Sequence, residues 1–213
     1  MTFVRHRLAL PDGELRLLQP SDAAELPDDG PVEWAPVVPY WSVLWRSGVA
    51  LGRDLAGTRL AGLRVVELGC GLGVPSLVAA RARATVLATD SCTEALELVE
   101  RNARENGLSV ATARVDWGAA DELVARGPFD LVLAADVLYE RTSVAPLLLL
   151  LPRLGREVWL ADPGRPAADA FLEQVRRGWS VTTGVSDGVE IHRLRGASAL
   201  VAGRRGCLPG VDM

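Results

Sequence analysis

The sequence predicts an α/β fold built on a mostly parallel sheet, and three observations support this expectation. An apolar segment at 64–68 leads directly into a Gly-x-Gly-x-Gly loop at 69–73. Strand-like and helix-like segments then alternate up to residue 178, as they do in parallel sheets with right-handed crossovers. Asp187-Gly188 separates two β-rich segments, which is a strong hairpin signal. We therefore expect a Rossmann-like seven-stranded sheet with helices on both faces and an antiparallel C-terminal hairpin.

An N-terminal extension is predicted in front of this sheet. Residues 3–10 and 14–19 flank the turn Pro11-Asp12-Gly13, so they should form a β-hairpin. The segment that follows, up to residue 38, is rich in proline and acidic residues and has little periodicity, which indicates a loop or lid.

The remaining elements follow from the pattern of apolar residues. Between Ser42 and Ala56 these residues suit a helix, and Gly57 supplies a stop signal, so we expect a helix there. The predicted order after it is strand 64–68, helix 74–83, strand 85–89, helix 92–106, strand 110–115, short helix 118–126, strand 129–134, helix 142–152, strand 156–161, helix 166–178, and hairpin strands 179–186 and 189–202.

Length indicates one main domain. A chain of 213 residues with 49% hydrophobic content can bury one substantial core. We therefore expect the hairpin and acidic loop or lid at 1–38, followed by a single α/β domain at 39–213.

Composition also limits the partners. The formal net charge is −4, so we expect no general attraction to nucleic acid, although all 23 basic residues are arginines that could form local patches. The longest leucine run, 147–151, is far shorter than the roughly 20 residues that span a bilayer, and no signal-peptide pattern begins the sequence. We expect no membrane partner and, because no exposed apolar helix stands out, a monomer.

The cysteines predict neither a disulfide framework nor a metal site. Cys70, Cys92 and Cys207 are odd in number and widely spaced, without a Cys-x-x-Cys pair. This usage fits a reducing compartment, and we expect a cytoplasmic location.

The glycine loop predicts a site for a nucleoside cofactor. Glycine has no Cβ and tolerates positive φ, so a ligand can approach the backbone closely. The dinucleotide fingerprint Gly-x-Gly-x-x-Gly is not met, because Val74 stands where its third glycine should be. A Walker phosphate loop needs a lysine, and the chain has none.

Two acids narrow the choice of cofactor. Glu67 lies just before the loop and would repel phosphates, and Asp90 closes the next strand. Acids around an uncharged loop suit a ligand that carries its own ammonium, carboxylate, sulfonium and ribose. S-adenosylmethionine has all four groups.

These motifs resemble those of the class I, seven-β-strand methyltransferases, from about Pro39 onward. The resemblance implies that the segment from Glu67 to Gly73 is the first motif of that family and that Asp90 binds both ribose hydroxyls. Val115-Asp116-Trp117 resembles the loop that contacts adenine, with Trp117 suited to stacking. The implied cofactor-binding residues are Trp45, Glu67, Gly69, Cys70, Gly71, Gly73, Asp90, Ser91, Asp116, Trp117 and Ala135, with S-adenosylhomocysteine as the product.

Structural interpretations of the same residues remain open. Asp90, with Ser91 and Glu94 beside it, suits the start of a helix, and Asp116 suits a helix cap. Trp117 and Trp45 could simply pack in the core.

A second set of motifs is similar to the lysine-methylating branch called methyltransferase family 16. Asp136-Val-Leu-Tyr139 follows a predicted strand and resembles the Asp-x-x-Tyr motif of that branch. Pro39-Tyr40-Trp41, Trp45 with Gly48, and Asp162-Pro-Gly-Arg-Pro166 resemble its members that act on the β subunit of electron-transfer flavoprotein, although Arg46 replaces their proline.

The resemblance implies in-line methyl transfer to a lysine of a protein substrate, with Asp136 and Tyr139 as catalytic residues and Asp162 and Arg165 as substrate-binding residues. Asp162 and Arg165 could instead form an internal salt bridge, and Asp136 and Tyr139 an ordinary loop network. Two other functions stay open, namely methylation of a small amine of the nicotinamide type and a non-catalytic binding role. An open, acidic rim would favour a protein substrate, and the acidic segment 25–33 favours a cationic partner.

Overall fold

The computed structural model describes residues 2–23 and 39–196. In chain order the strands and α-helices are β1 (Phe3–Leu10), β2 (Gly13–Pro20), α1 (Arg46–Leu55), β3 (Arg64–Leu68), α2 (Val74–Arg81), β4 (Thr85–Asp90), α3 (Thr93–Glu105), β5 (Ala111–Arg114), α4 (Asp121–Ala125), β6 (Leu131–Ala135), α5 (Val144–Leu154), β7 (Glu157–Asp162), α6 (Pro166–Val175), β8 (Trp179–Ser186) and β9 (Val189–Gly196).

The main sheet has seven strands in the order β5-β4-β3-β6-β7-β9-β8. Strands β5, β4, β3, β6 and β7 are parallel, whereas β9 is antiparallel to both β7 and β8. The predicted seven-stranded sheet with an antiparallel C-terminal hairpin is confirmed. The chain winds in opposite directions from β3, and such a reversal is where open α/β sheets bind their ligands.

Two apolar layers cover the sheet, one on each face. On one face α1, α2 and α3 pack together with the N-terminal hairpin of β1 and β2. On the other face lie α4, α5 and α6. Successive residues of β3 enter opposite layers, with Val65 in the first and Val66 in the second, as expected for a strand buried on both sides.

The hairpin joins the first layer through its apolar side. Leu15 and Leu17 alternate along β2 and are fully buried against the helices. The Asn102 side chain on α3 accepts a hydrogen bond from the Leu18 N–H and donates to the Leu18 and Leu72 carbonyls. Asn102 thereby connects the hairpin to the glycine loop.

The structure corrects the predicted helix at 42–56. Residues Tyr40–Ser42 form a 3-10 turn, Val43 is extended, and α1 begins only at Arg46, after Trp45. The Trp45 indole N–H donates to the Tyr40 carbonyl, so the preceding chain folds back instead of continuing the helix. Trp45 therefore lies in front of the helix and not on its face.

Other boundaries shift by a few residues. The predicted helix 118–126 is a 3-10 turn at Trp117–Ala119 followed by α4, and the helix predicted at 142–152 starts with a 3-10 turn at Arg141–Ser143. The predicted acidic loop or lid from residue 24 and the end of the last strand beyond residue 196 lie outside the described residues.

Two absences hold for the part of the chain that the structure describes. None of its helices is long and apolar enough to cross a membrane. Within 2–23 and 39–196, no three His, Cys, Asp or Glu side chains converge as metal ligands would.

Candidate active site

A cleft of about 630 Å³ opens at the carboxyl ends of the central strands. The segment between Pro39 and Gly48 forms one wall, and the rest comes mainly from the loops after β3, β4, β5 and β6, with Arg165 from the loop after β7. The predicted site residues that line it are Trp45, Glu67, Gly69, Cys70, Gly71, Gly73, Asp90, Ser91, Asp116, Trp117, Ala135, Asp136, Tyr139 and Arg165. Asp162 is absent from this lining.

The glycine loop presents bare backbone to the cleft. Gly69, Gly71 and Gly73 all have positive φ, at 63°, 48° and 76°. A Cβ on Gly73 would lie 2.7 Å from the Val99 Cγ2, and one on Gly71 would lie 3.1 Å from the Trp41 carbonyl oxygen. Both conformation and space therefore require glycine at these positions.

Glu67, near the end of β3, hydrogen-bonds to Ser76 in α2, the helix that follows the glycine loop. Its buried carboxyl oxygen Oε2 accepts hydrogen bonds from the Ser76 N–H at 2.9 Å and from the Ser76 hydroxyl. Burial raises the pKa of Glu67 to about 8, despite the two hydrogen bonds from Ser76. At neutral pH this carboxyl is therefore largely protonated in the free protein. The sequence instead predicts a charged carboxylate that repels phosphates.

Asp90 ends β4 and is held by the main chain. Its Oδ2 accepts from the Gly71 N–H at 3.0 Å, and its Oδ1 accepts from the Cys92 N–H at 3.0 Å. An ionised carboxylate has about four lone-pair sites, so each oxygen can accept a further bond. The side chain is partly exposed and lines the cleft, where it could bind two hydroxyl groups.

Asp116 and Trp117 form the wall after β5. The Asp116 Oδ1 accepts from the Gly118 N–H at 2.8 Å and so caps the 3-10 turn, as the structural interpretation of this residue expects. The Trp117 ring covers Gly69, because a Cβ there would be 3.2 Å from the Trp117 Cζ2. The Trp117 ring lines the cleft beside the glycine loop, and an aromatic ring there suits stacking with an adenine.

Asp136 follows β6 in a left-handed conformation, with φ at 60°. Its Oδ1 accepts from the Arg165 Nε at 2.6 Å and from the Arg165 Nη2 at 2.5 Å. Its Oδ2 accepts from the Ser47 hydroxyl at 3.2 Å. Burial raises the pKa of Asp136, and Arg165 and Ser47 oppose that shift.

The structure places Asp162 away from the cleft, so it gives no support to the predicted substrate-binding role of this residue. Asp162 is fully buried at the end of β7, and its Oδ1 accepts from the N–H groups of Gly164 and Arg165 at 2.8 and 2.6 Å. Burial raises the pKa of Asp162 to about 6. Its carboxyl turns back onto its own loop, and the Arg165 guanidinium pairs with Asp136 instead of with Asp162.

Two tyrosines stand at the mouth of the cleft. Tyr139 is 41% exposed and Tyr40 is 36% exposed, and their ring centroids lie 5.7 Å apart. Burial of part of the ring raises the pKa of the Tyr139 hydroxyl. The guanidinium of Arg165 lies deeper, 5.8 Å from the centroid of the Trp45 ring.

Sequence reasoning missed Ser47 and Tyr40 as site residues. Ser47 is a polar residue on the buried face of α1, beside Ala50 and Leu51, and that position is its sequence signal. Tyr40 belongs to a motif that the sequence singles out, but its pairing with Tyr139 spans almost a hundred residues.

The cleft thus has two chemically different halves. The cofactor half comprises the glycine loop, Asp90, Asp116 and Trp117, and it fits a nucleoside with a polar tail. The acceptor half comprises Asp136, Tyr139, Arg165 and Tyr40, with the buried Ser47 hydroxyl behind Asp136, and it offers a carboxylate and a phenol to an incoming group.

Comparisons with known proteins agree with this arrangement. A family profile described as "Lysine methyltransferase" matches residues 41–160. Protein N-lysine methyltransferase METTL21A of Danio rerio is 34% identical over 66% of this chain and 69% of its own length. Electron transfer flavoprotein beta subunit lysine methyltransferase of Xenopus laevis is 32% identical over 73% of this chain and 64% of its own length.

A third relative, Histone-arginine methyltransferase METTL23 of Xenopus laevis, is 30% identical over 67% of this chain and 65% of its own length. The chain therefore spans about two thirds of the length of these relatives. Among solved structures, ribosomal protein L11 methylase of Lactobacillus delbrueckii subsp. bulgaricus superposes with a TM-score of 0.57 and 20% identity, covering 70% of this chain and 78% of that one. That likeness establishes the fold.

Proposed function

The chain belongs to the lysine methyltransferase family of class I methyltransferases, and we propose that it transfers a methyl group from S-adenosylmethionine to a lysine side chain of a protein. Membership of the family implies use of S-adenosylmethionine. The observation that carries the proposal is the meeting of the two halves in one cleft. A bare glycine loop with Asp90 lies on one side, and Asp136 with Tyr139 lies on the other.

The cofactor half would hold the nucleoside through three contacts. Asp90 accepts hydrogen bonds from the ribose hydroxyls with its free lone pairs, since charged acceptors give the stronger bonds. Trp117 covers the adenine ring, with Asp116 at its edge. The open loop between Gly69 and Gly73 leaves room for the amino-acid tail.

When bound, S-adenosylmethionine supplies an electrophilic methyl group. The residues of the acceptor half then need to present a nitrogen lone pair in line with it, and such positioning contributes about 7–11 kcal/mol of a barrier in well-aligned systems. Tyr139 orients the nitrogen by hydrogen bonding, and Asp136 stabilises the positive charge that develops on it.

The open mouth supports a protein substrate over a small molecule. Tyr40 and Tyr139 are both exposed, so a side chain can enter between them while the rest of its protein stays outside. A small amine would be expected to need a closed pocket. Three curated relatives also carry names that describe methylation of protein side chains.

A labelling experiment tests the proposal. We expect the purified protein, incubated with methyl-labelled S-adenosylmethionine and lysate of the source organism, to label polypeptides, and hydrolysis of these to release methyl-lysine. The chain contains no lysine, so the enzyme itself adds no side-chain background to this product. Asp136→Asn is the control in which most of the labelling should be lost.

Other results would point elsewhere. Methyl-arginine in the hydrolysate would assign a different acceptor, and label confined to the low-mass fraction would assign a small-molecule substrate. No label in any fraction, with the cofactor still bound, would support the non-catalytic role.

A further inference from the structure

We propose that Arg165 is a positioning residue that balances the charge of Asp136, so that the acceptor nitrogen enters the cleft as a neutral, nucleophilic amine. The inference rests on the proposed function and adds a role that the family assignment does not supply.

Arg165 and Asp136 form a largely buried ion pair. Their side chains are 13% and 6% exposed, and the Nε and Nη2 atoms of Arg165 contact the same Asp136 oxygen, Oδ1. The guanidinium is also held near the Trp45 ring, and the Arg165 N–H donates to Asp162. Breaking such a pair would strand a buried charge, so an incoming substrate is expected to leave it intact.

The second oxygen of Asp136 remains available. Its Oδ2 receives the Ser47 hydroxyl at 3.2 Å, which leaves a further lone pair for an N–H donor from the cleft. Asp136 can therefore accept a hydrogen bond from a neutral amine while Arg165 cancels its net charge. The backbone at Asp136 is left-handed, a conformation that aspartate adopts more readily than most residues other than glycine.

Charge balance matters because a lysine ammonium has no lone pair. A bare carboxylate at 4–6 Å shifts a neighbouring titration by about 1–3 pH units toward the charged form, which here is the unreactive ammonium. Arg165 is the only Lys or Arg side chain among the described residues that line the cleft. With Arg165 present, the acceptor half carries no net negative charge that would retain the proton.

Other ionisable groups surround the pair without replacing Arg165. From β7, Asp162 contributes a buried carboxyl whose pKa is raised to about 6. At the mouth are the phenols of Tyr139 and Tyr40, and across the cleft lie Asp90 and Glu67. Helix α1 contributes the Ser47 hydroxyl to the pair. Every ionised carboxylate among these groups increases the need for a cation beside Asp136, whereas the protonated Glu67 carboxyl adds no charge.

In the methyl transfer, water takes the protons of the acceptor nitrogen and sulfur keeps the electron pair of the broken bond. The ammonium first gives its proton to water at the open mouth. The nitrogen lone pair then forms the N–C bond while the C–S bond breaks and its electron pair stays on sulfur. The methylated nitrogen becomes positive, beside Oδ2 of Asp136, and later loses its extra proton to water.

A binding experiment isolates the role of Arg165. Sinefungin carries an amine-bearing carbon in place of the sulfonium and its methyl group, so its ammonium probes the site of transfer, whereas S-adenosylhomocysteine has no charge there. The measured quantity is the ratio of the two affinities by calorimetry at pH 7. We expect Arg165→Gln to favour sinefungin by about tenfold and Asp136→Asn to disfavour it by about tenfold, relative to wild type.

Opposite shifts in the two variants support the proposal, and a purely structural role would move both in one direction. No shift in either variant, or shifts of the same sign, would overturn it. If Arg165→Gln loses its fold, Asp136→Asn decides alone, because an unchanged ratio there also overturns the proposal. Failure of S-adenosylhomocysteine to bind the wild type would instead refute the proposed function itself.

Discussion

Asp90 and Asp136 lie at the carboxyl ends of the two strands that flank β3, yet the protein holds them in different ways. Asp90 receives two backbone N–H groups, from Gly71 and Cys92, and is partly exposed. Asp136 is buried and receives side-chain donors from Arg165 and Ser47. The same position in the fold thus carries an open carboxylate in one half of the cleft and a charge-balanced one in the other.

The different surroundings of the two carboxylates predict different roles, namely cofactor binding for Asp90 and methyl transfer for Asp136. Main-chain donors orient Asp90 without adding a formal charge, so its carboxylate keeps its full attraction for hydroxyl groups. The side chains that donate to Asp136 come from α1 and from the loop after β7. Substitution of those residues can therefore change the charge around Asp136. Changes in the cofactor half should therefore alter affinity, and changes in the acceptor half should alter turnover.

The largest effect is expected from Asp136→Asn. Loss of the carboxylate that stabilises the developing charge should lower turnover by about 10²–10³-fold. Affinity for S-adenosylhomocysteine should change less than about threefold, since the substitution removes no contact of the cofactor half. Steady-state kinetics and calorimetry measure the two quantities. Asp169→Asn, on the exposed face of α6, is the matched control, and equal losses in both quantities for Asp136→Asn would erase the distinction.

Next comes Gly73→Ala in the cofactor half. The added Cβ meets Val99 at 2.7 Å in a left-handed backbone, so the free energy of unfolding should fall by about 2–4 kcal/mol. Gly57 also has positive φ but open space around its Cβ, and Gly57→Ala should lower the same free energy by about 1–2 kcal/mol. Denaturant unfolding of both variants gives the comparison. Equal losses would show that close packing of the loop is unimportant.

Asp90→Asn should weaken cofactor binding without stopping catalysis. An amide presents an N–H₂ group to one of the two backbone donors and loses the charge that strengthens bonds to hydroxyls, so affinity for S-adenosylhomocysteine should fall about ten- to thirtyfold. Turnover at saturating cofactor should stay within about threefold of wild type. A loss confined to turnover would place Asp90 in the acceptor chemistry and reverse the assignment of the halves.

The smallest expected effect is on the pH dependence of the free energy of unfolding, through the buried carboxyl of Glu67. Because burial raises the pKa of Glu67 from its ordinary value of 4.5 to about 8, the folded state keeps a proton that the unfolded state releases, and stability falls as pH rises from 4.5 to about 8. Between pH 6 and 7 this group should lower the free energy of unfolding by about 1 kcal/mol. Glu67→Gln should flatten the curve, while Glu97→Gln on α3 should not. A curve that Glu67→Gln leaves unchanged would contradict the buried, protonated carboxyl.

The strands and the glycine loop were predictable because short-range patterns determine them. The apolar segment at 64–68 followed by glycines favours a buried strand, and the left-handed turns at Gly69, Gly71 and Gly73 require those glycines. The same patterns predicted that Asp90 closes a strand and that Asp136 follows one, and both residues lie at the carboxyl ends of their strands in the structure.

Side-chain pairing was not predictable from the same patterns. Arg165 contacts a carboxylate 29 residues away, and Ser47 contacts it from 89 residues away. A strand pattern gives the position of Asp162 but not the inward turn of its carboxyl. The start of α1 also depended on the hydrogen bond from Trp45 to Tyr40, which helical periodicity does not contain. The domain division after residue 38, the monomeric state and the cytoplasmic location stay predictions.

The most direct test of the central claim is an NMR titration of the wild-type protein with S-adenosylhomocysteine, following the backbone amides of Gly69, Gly71 and Gly73 and the indole N–H of Trp117. We expect these signals to shift together and to saturate at one ligand per chain. Unchanged loop and indole signals at saturating ligand would contradict the assignment of this cleft as the cofactor site.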